Sequence, residues 1–298
     1  MKSTKILLLF SGGLDSLLCL KILENKGIKV TPVCFSSYFF DCEKSLKIIK
    51  QTGFKLKIVN ISEDHLKIVK KPIHGRGGGM NPCIDCHLLM LKKAKQIMEK
   101  EKYDFIATGE VLGQRPFSQS RQSLELIEKK AKLQGVIIRP LSAKLLKETK
   151  FGQEGLYDIS GKDRKKQIEL AKIFKIKEIP TPGGGCILTD ANFSYKLKEL
   201  FKRKKNFNGD DIQLLKLGRT FFYDTFFIVV SRNEKEGIKL KENRKRGDIV
   251  IEPNNFPGPT ILIRKIKKSS QEEMINCGSD LIIKFSKKIP DNPILSFL

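Results

Sequence analysis

Short continuous apolar runs alternate along the first part of the chain with longer stretches whose apolar residues recur every three or four positions. Residues 5–10 (KILLLF) are apolar without a break apart from Lys5, as expected of a strand covered on both faces of a parallel sheet. Ser11-Gly12-Gly13 interrupts the run. From 14 to 26, Leu14, Leu17, Leu18, Leu20, Ile22 and Leu23 repeat at helical spacing, and Gly27 closes that helix. The same reading gives a strand at 28–35, a helix at 41–52 and a strand at 55–61. A loop at 71–82, with glycine at 77, 78 and 79, leads into a helix at 83–102 and a strand at 104–109. A fifth strand is expected at 136–139, a short basic helix at 163–174, a loop at 180–186 and a helix near 195–204. This alternation predicts an α/β domain over 1–204 with a doubly wound, mostly parallel sheet. Beyond it the pattern changes. Strand-like runs at 225–231 and 260–266, separated by turns such as Pro253-Asn254-Asn255 and Pro257-Gly258-Pro259, predict a smaller, mostly strand α+β domain over 205–298.

The break between the first strand and the first helix carries chemistry. In Phe10-Ser11-Gly12-Gly13-Leu14-Asp15-Ser16 two glycines open the backbone at a helix N-terminus, where free N–H groups favour an anion. Ser11 and Ser16 add hydroxyls. Asp15 would repel a bare phosphate, but is well placed if Mg²⁺ bridges the two. A Walker A loop would need Gly-Lys-Ser/Thr, which is absent.

Cysteine is the second signal. Seven are present, an odd number in a chain with no other sign of secretion, so a disulfide framework is not expected. Cys19, Cys34, Cys42 and Cys277 read as ordinary small apolar residues. Cys83 and Cys86 form a C-x₂-C at an expected helix start, and Cys186 ends the Gly-rich run 182–186. Three thiols suit either a [4Fe–4S] cluster with one iron open or a nucleophile-and-partner pair, Cys86 and Cys186, carrying a persulfide. The cluster is preferred because the pair leaves Cys83 idle. Zinc would need His87 as a fourth ligand, awkward so close to Cys86.

SGGLDS between a strand and a helix resembles the PP-loop ATP pyrophosphatase superfamily. The resemblance implies ATP cleavage between the α- and β-phosphates and adenylation of a substrate. It implies ATP binding by Ser11, Gly12, Gly13, Asp15 and Ser16, by the end of the second strand (Val33, Phe35), and by the turn at Gly109. NPC-x-x-C-H, a helix, YDFIATGE and a later PGGGC together resemble tRNA-specific 2-thiouridylases over about residues 1–200. That implies a tRNA sulfurtransferase in which Cys86 and Cys186 are the functional thiols. The third thiol, Cys83, makes the chain similar to cluster-dependent tRNA thiolases. The sequence departs from the 2-thiouridylases at Glu110, where they usually have His, and at 112–116. Their C-terminal β-barrel pair is missing. Leu217-Gly218-Arg219, Phe227–Val230, Ser231-Arg232-Asn233-Glu234 and Pro257-Gly258-Pro259 resemble NFACT-R, an RNA-binding module.

Charge supports a polyanionic partner. The formal net charge is +24, with both regions basic, +16 over 1–200 and +8 over 201–298. Lys162, Arg164 and Lys165 cluster at an expected helix start and are candidate tRNA-phosphate contacts; Arg115 is a candidate phosphate or substrate contact. His65 and His74 have no partner set in the sequence. No apolar stretch is long enough to span a membrane. The expectation is therefore a soluble, cytoplasmic enzyme that takes ATP, Mg²⁺, tRNA and a sulfur donor (sulfide or a persulfide carrier). The alternatives are a PP-loop ligase or amidotransferase acting on a small nucleotide precursor, or an RNA-binding adaptor with a vestigial ATP loop.

Overall fold

The computed structural model describes residues 4–180 and 186–298. The chain divides into two compact units, Met1–Ile187 and Leu188–Leu298. In the first, β1 (Lys5–Leu9) leads to α1 (Leu14–Asn25), β2 (Lys29–Ser36), α2 (Glu43–Ile49), β3 (Lys57–Asn60) and α3 (Ser62–Lys70). α4 (Cys83–Glu101), β4 (Phe105–Thr108), α5 (Arg121–Ala131), β5 (Ile137–Ile138) and α6 (Lys165–Ile173) follow. The five strands form one parallel sheet in the order β3-β2-β1-β4-β5, with Leu7 of β1 opposite Thr31 and Ile106.

The unbroken apolar run of β1 reflects burial on both faces. Ile6 and Leu8 pack with α1, α2 and α6 through Leu17, Leu20, Ile48 and Leu170. Leu7 faces the other way, onto α4 and α5 through Ile84, Leu91 and Ile127. Each face of the central strand thus has its own helical layer. Because β1 and β4 are neighbours while β2 and β3 continue in the opposite direction, the order reverses between β1 and β4. In sheets of this kind the crevice beyond the C-terminal strand ends at such a reversal is where ligands enter. Sequence reading missed α3 and α5. Both are short, and α3 has strongly polar flanks that hide its buried positions His65, Leu66 and Val69.

The second unit contains α7 (Ala191–Arg203), α8 (Gly209–Leu215), β6 (Arg219–Phe222), β7 (Phe226–Val230), α9 (Glu234–Glu242), β8 (Ile249–Pro253), β9 (Ile261–Lys265), α10 (Gln271–Phe285) and β10 (Leu295–Phe297). Its sheet is antiparallel, in the order β10-β8-β9-β7-β6. Met274, Leu281 and Ile282 of α10 pack with Ile228, Ile251 and Ile263 of the strands. The expected mostly strand character is corrected here. Four helices accompany the five strands, and α10 shows its period only once its apolar side is set against the sheet. The unit also begins earlier than residue 205. α7, expected in the first domain, packs Phe193, Leu197 and Leu200 away from solvent and lies against α8 and β6. Among the described residues no helix is long and apolar enough to cross a membrane.

Candidate functional site

β1 ends at Leu9, and Ser11 to Gly13 carry the chain into α1. Gly13 is the N-cap position and supplies no side-chain cap, so the first N–H groups of α1 have no side-chain partner. Gly12 has φ +69°, and a Cβ there would lie 2.8 Å from the backbone of Lys44 and Ser45 at the start of α2. A larger residue fits neither the conformation nor the space. Ser16 Oγ donates to the Gly13 carbonyl at 2.9 Å and lies 3.4 Å from Ser11 Oγ. Gly109, just past β4, packs so tightly on α1 that a Cβ would lie 2.7 Å from Ser16 N. The phosphate loop and the β4 turn expected from sequence therefore meet at the sheet reversal.

Asp15 sits at this junction. Gln114 Nε2 donates to its Oδ2 at 3.2 Å, while Oδ1 is buried with no hydrogen-bond partner among the described residues. Burial pushes its pKa up, opposed by the Gln114 hydrogen bond and then by Arg164, Gln167 and Arg115. A buried, unsatisfied carboxylate oxygen beside an open helix N-terminus is an oxygen donor suited to a hard cation such as Mg²⁺.

The thiols lie along the same edge. α4 runs back against the sheet, so its first turn, carrying Cys83 and Cys86, stands at the C-terminal strand ends. Asn81 Nδ2 lies 3.1 Å from Cys83 Sγ, and its side-chain oxygen accepts from Gly79 N at 3.0 Å, so the Gly-rich loop is folded around the Cys83 position. Asp85, between the cysteines, is buried and accepts from Ile73 N (3.0 Å), His74 N (2.9 Å) and His74 Nδ1 (2.6 Å). Cys186 is placed by its neighbour Ile187, whose N–H donates to Phe39 O at 3.1 Å just beyond β2. Burial, then the charges of Cys186 and Cys83, push the Cys86 thiol well up. Cys86 thus lies within electrostatic reach of both other thiols. As placed, no three His, Cys, Asp or Glu side chains among the described residues form a ready metal site. The donor set itself, three thiols with two of them one helical turn apart, matches the ligation of an iron–sulfur cluster. Residues 182–185 of the Gly-rich run lie outside the described residues.

His87 joins the two halves of the site. Its Nδ1 lies 2.7 Å from Glu110 Oε1. Glu110 Oε2 accepts from Thr108 Oγ1 at 3.0 Å and Arg139 Nε at 2.9 Å, and Arg139 also pairs with Glu128. Burial alone would raise the Glu110 pKa, but Arg139 and His87 outweigh it and hold the carboxylate at about 2. A fixed anion therefore orients the His87 ring, beside Cys86, from the residue that follows Gly109. Nothing in the sequence marks this set, because its members are 23 and 29 residues apart.

One expectation changes, and two site residues find specific surroundings. Cys34 and Cys42, read as ordinary, form a disulfide with Cα atoms 6.1 Å apart. The turn at 37–40, closed by Ser37 N to Phe40 O at 2.8 Å, folds the start of α2 back onto the end of β2. The Phe35 ring is 5% exposed and packs with Val33, Ile84 and Leu88, so its side chain belongs to the core and only its backbone borders the edge. At the start of α6, Lys162 and Lys165 are exposed, whereas Arg164 is half-buried and its charge acts on Asp15.

Residues 1–160, more than half the chain, match the model of the family described as "Thiamine biosynthesis protein (ThiI)". The chain belongs to the ThiI family. The match runs through Glu110 and residues 112–116, where the sequence leaves the 2-thiouridylase pattern. Residues 218–294 match the family described as "NFACT protein RNA binding domain", in line with the expected resemblance. Curated relatives include a probable tRNA sulfurtransferase of Finegoldia magna, 30% identical over 141 residues (46% of this chain, 35% of that one). Another, of Brevibacillus brevis, is 28% identical over 156 residues (47% and 36%). The chain thus spans about a third of the length of the curated relatives it matches. Similar solved structures include the following two. One is a 4-thiouridine synthetase–RNA complex with bound ATP (23% identity, 72% of this chain and 52% of that chain, TM-score 0.45). The other is the U34-tRNA thiolase NcsA from Methanococcus maripaludis with its [4Fe-4S] cluster (22% identity, 67% and 66%, TM-score 0.34).

Proposed function

We propose that this ThiI-family chain is an ATP-dependent tRNA sulfurtransferase that adenylates a uridine carbonyl and replaces its oxygen with sulfur. The observation that carries the reading is the Glu110–His87 hydrogen bond. It ties the thiol-bearing turn of α4 to the turn at Gly109 that packs on the phosphate loop, so an anion-binding loop and a thiol set share one edge of the sheet. Ser11, Gly12, Gly13 and Ser16 receive the triphosphate, and Asp15 would hold Mg²⁺. Gly109 and the backbone at Phe35 border the nucleotide. Cys83, Cys86 and Cys186 would hold a [4Fe–4S] cluster, which when bound supplies an open iron for sulfide. Lys162 and Lys165, the exposed members of the expected basic cluster, are candidates for RNA phosphate. The uridine carbonyl oxygen attacks the α-phosphate and pyrophosphate leaves; sulfur then displaces AMP, a good leaving group. Burial of Cys86 keeps water from this exchange.

The test uses the full chain, purified without oxygen. Wild type is expected to show tRNA-stimulated ATP–pyrophosphate exchange, to thiolate tRNA, and to carry about four irons. Cys86→Ala is expected to retain exchange and lose thiolation, because adenylation precedes sulfur transfer. Iron-free protein that still thiolates tRNA would replace the cluster with a Cys86/Cys186 persulfide. Exchange driven by a small nucleotide precursor without RNA would make the chain a ligase. Tight RNA binding without exchange would make it an adaptor.

A further inference from the structure

Two segments converge on Asp15 from different parts of the chain. One is the loop after β4, which contributes Gln114 and Arg115. The other leads into α6 and contributes Arg164 and Gln167. The segments are bound together by Gly161 N to Leu112 O at 2.7 Å and by a bridge between Leu112 and Ser160. Ser142 reinforces the junction, accepting from Leu112 N at 3.0 Å and donating to Ile159 O at 2.6 Å. Each segment brings one amide to the Asp15 carboxylate. Gln114 hydrogen-bonds it, and Gln167 lies beside it, fully buried, with neither amide atom hydrogen-bonded among the described residues.

Each segment also brings one arginine, and the charge of both reaches Asp15. Neither guanidinium is in an ion pair among the described residues, and Arg164 Nη2 makes one long bond, 3.4 Å, to the Pro180 carbonyl. Two guanidiniums held near one half-buried carboxylate at the mouth of a phosphate loop exceed what that carboxylate needs. Their chemistry suits a larger anion. The planar, multi-donor guanidinium binds phosphate oxygens in pairs, which a lysine ammonium does not. The neighbours Lys162 and Lys165 are exposed whereas Arg164 is half-buried, so Arg164 is distinct within its own cluster.

We propose that Arg115 and Arg164 form a two-sided clamp on the β- and γ-phosphates of ATP that holds the departing pyrophosphate, so that Arg164 belongs to the nucleotide site rather than to the RNA surface. The clamp rests on the sulfurtransferase reading for the reaction it serves. In that step a bond forms between the uridine carbonyl oxygen and the α-phosphorus, and the bond from that phosphorus to the bridging oxygen breaks. The bond's electron pair leaves on pyrophosphate, where the guanidiniums meet the new charge, and the proton on the adjoining ring nitrogen passes to water.

Equilibrium binding of ATP, pyrophosphate, AMP and tRNA to the full chain separates the possibilities, using Arg115→Ala, Arg164→Ala and Arg164→Lys. The clamp predicts a loss of about ten- to a hundredfold in affinity for ATP and pyrophosphate in either alanine variant, the range for removing a hydrogen bond to a charged group. Affinity for AMP and tRNA should stay within about twofold, and Arg164→Lys should lose less than Arg164→Ala. Equal weakening of AMP and ATP would overturn the clamp as general damage to the site. Weaker tRNA binding with ATP binding intact would return Arg164 to the RNA surface. Wild type that binds ATP in a clamp-dependent way but shows no tRNA-stimulated exchange would overturn the sulfurtransferase reading and leave the clamp standing. Wild type that binds neither ATP nor pyrophosphate would overturn both.

Discussion

His65 shows what burial does to a single titratable residue. It is 1% exposed, stands edge-on to Phe39, tilts against Phe40, and meets one polar partner, Ser37 Oγ at 3.0 Å from Nδ1. Its Nε2 has no partner, and burial pulls the pKa from 6.5 down to about 4. The folded state therefore takes up fewer protons than the unfolded chain between those values. The stabilising contribution is complete above pH 6.5 and is lost as pH falls toward 4, a change of about 3 kcal/mol from the size of the shift. Urea unfolding of wild type at pH 7 and pH 5 is expected to show about 2 kcal/mol of this loss, the part of the window crossed above pH 5, and His65→Phe to flatten it; an unchanged pH dependence in the variant would remove His65 as the cause. Glu110 follows the other course. Its folded pKa of about 2 lies below the usual 4.5, so its contribution holds above 4.5 and falls away below it, in a lower window than that of His65. In the sequence neither residue carries a signal. His65 lies in a polar-looking stretch, and Glu110 looks like a departure from a family pattern. Both acquire their roles from partners distant along the chain.

At the scale of elements, helix and strand periods were legible where one side of the element faces a large core. α1, α4 and β1 to β4 lie close to their expected spans because their apolar spacing meets a filled interior. α3, α5 and α10 were not legible, since their buried sides are narrow and interleaved with lysine and glutamate. Some junctions depend on a single residue. Gly218, between α8 and β6, has φ +54°, and a Cβ there would collide with the Val230 carbonyl of the neighbouring strand. Gly218→Ala is expected to destabilise the second unit by about 2 kcal/mol or more, from left-handed strain and steric overlap combined. Thermal unfolding of the variant checks this. The Leu-Gly-Arg step at 217–219 is thus a backbone requirement of the α8–β6 connection as well as a family feature.

For the whole molecule, the boundary between the units has a physical test. α7 is capped by Asp190, whose side chain accepts from Phe193 N at 2.7 Å, and it packs on α8 and β6. A fragment of residues 188–298 is expected to unfold cooperatively, whereas 205–298 should lose that cooperativity because removing α7 uncovers its packing surface on α8 and β6. Coincident loss in both fragments would show that the second unit needs the first. The α/β character of residues 1–180, the Gly-rich loop between β1 and α1, the two cysteine positions on α4 and the basic character of both units were readable from local sequence. These depend on neighbours within a few residues, which periodicity, glycine placement and charge record directly. That Cys34 meets Cys42, that Glu110 fixes His87, and that the charges of Arg115 and Arg164 both reach Asp15 emerges only once the chain is folded. The Glu110 and Asp15 sets arise where strand ends and loops far apart in sequence are brought to one edge of the sheet. Cys34 and Cys42, eight residues apart, meet because the turn at 37–40 folds α2 back onto β2, and no local pattern encodes either result.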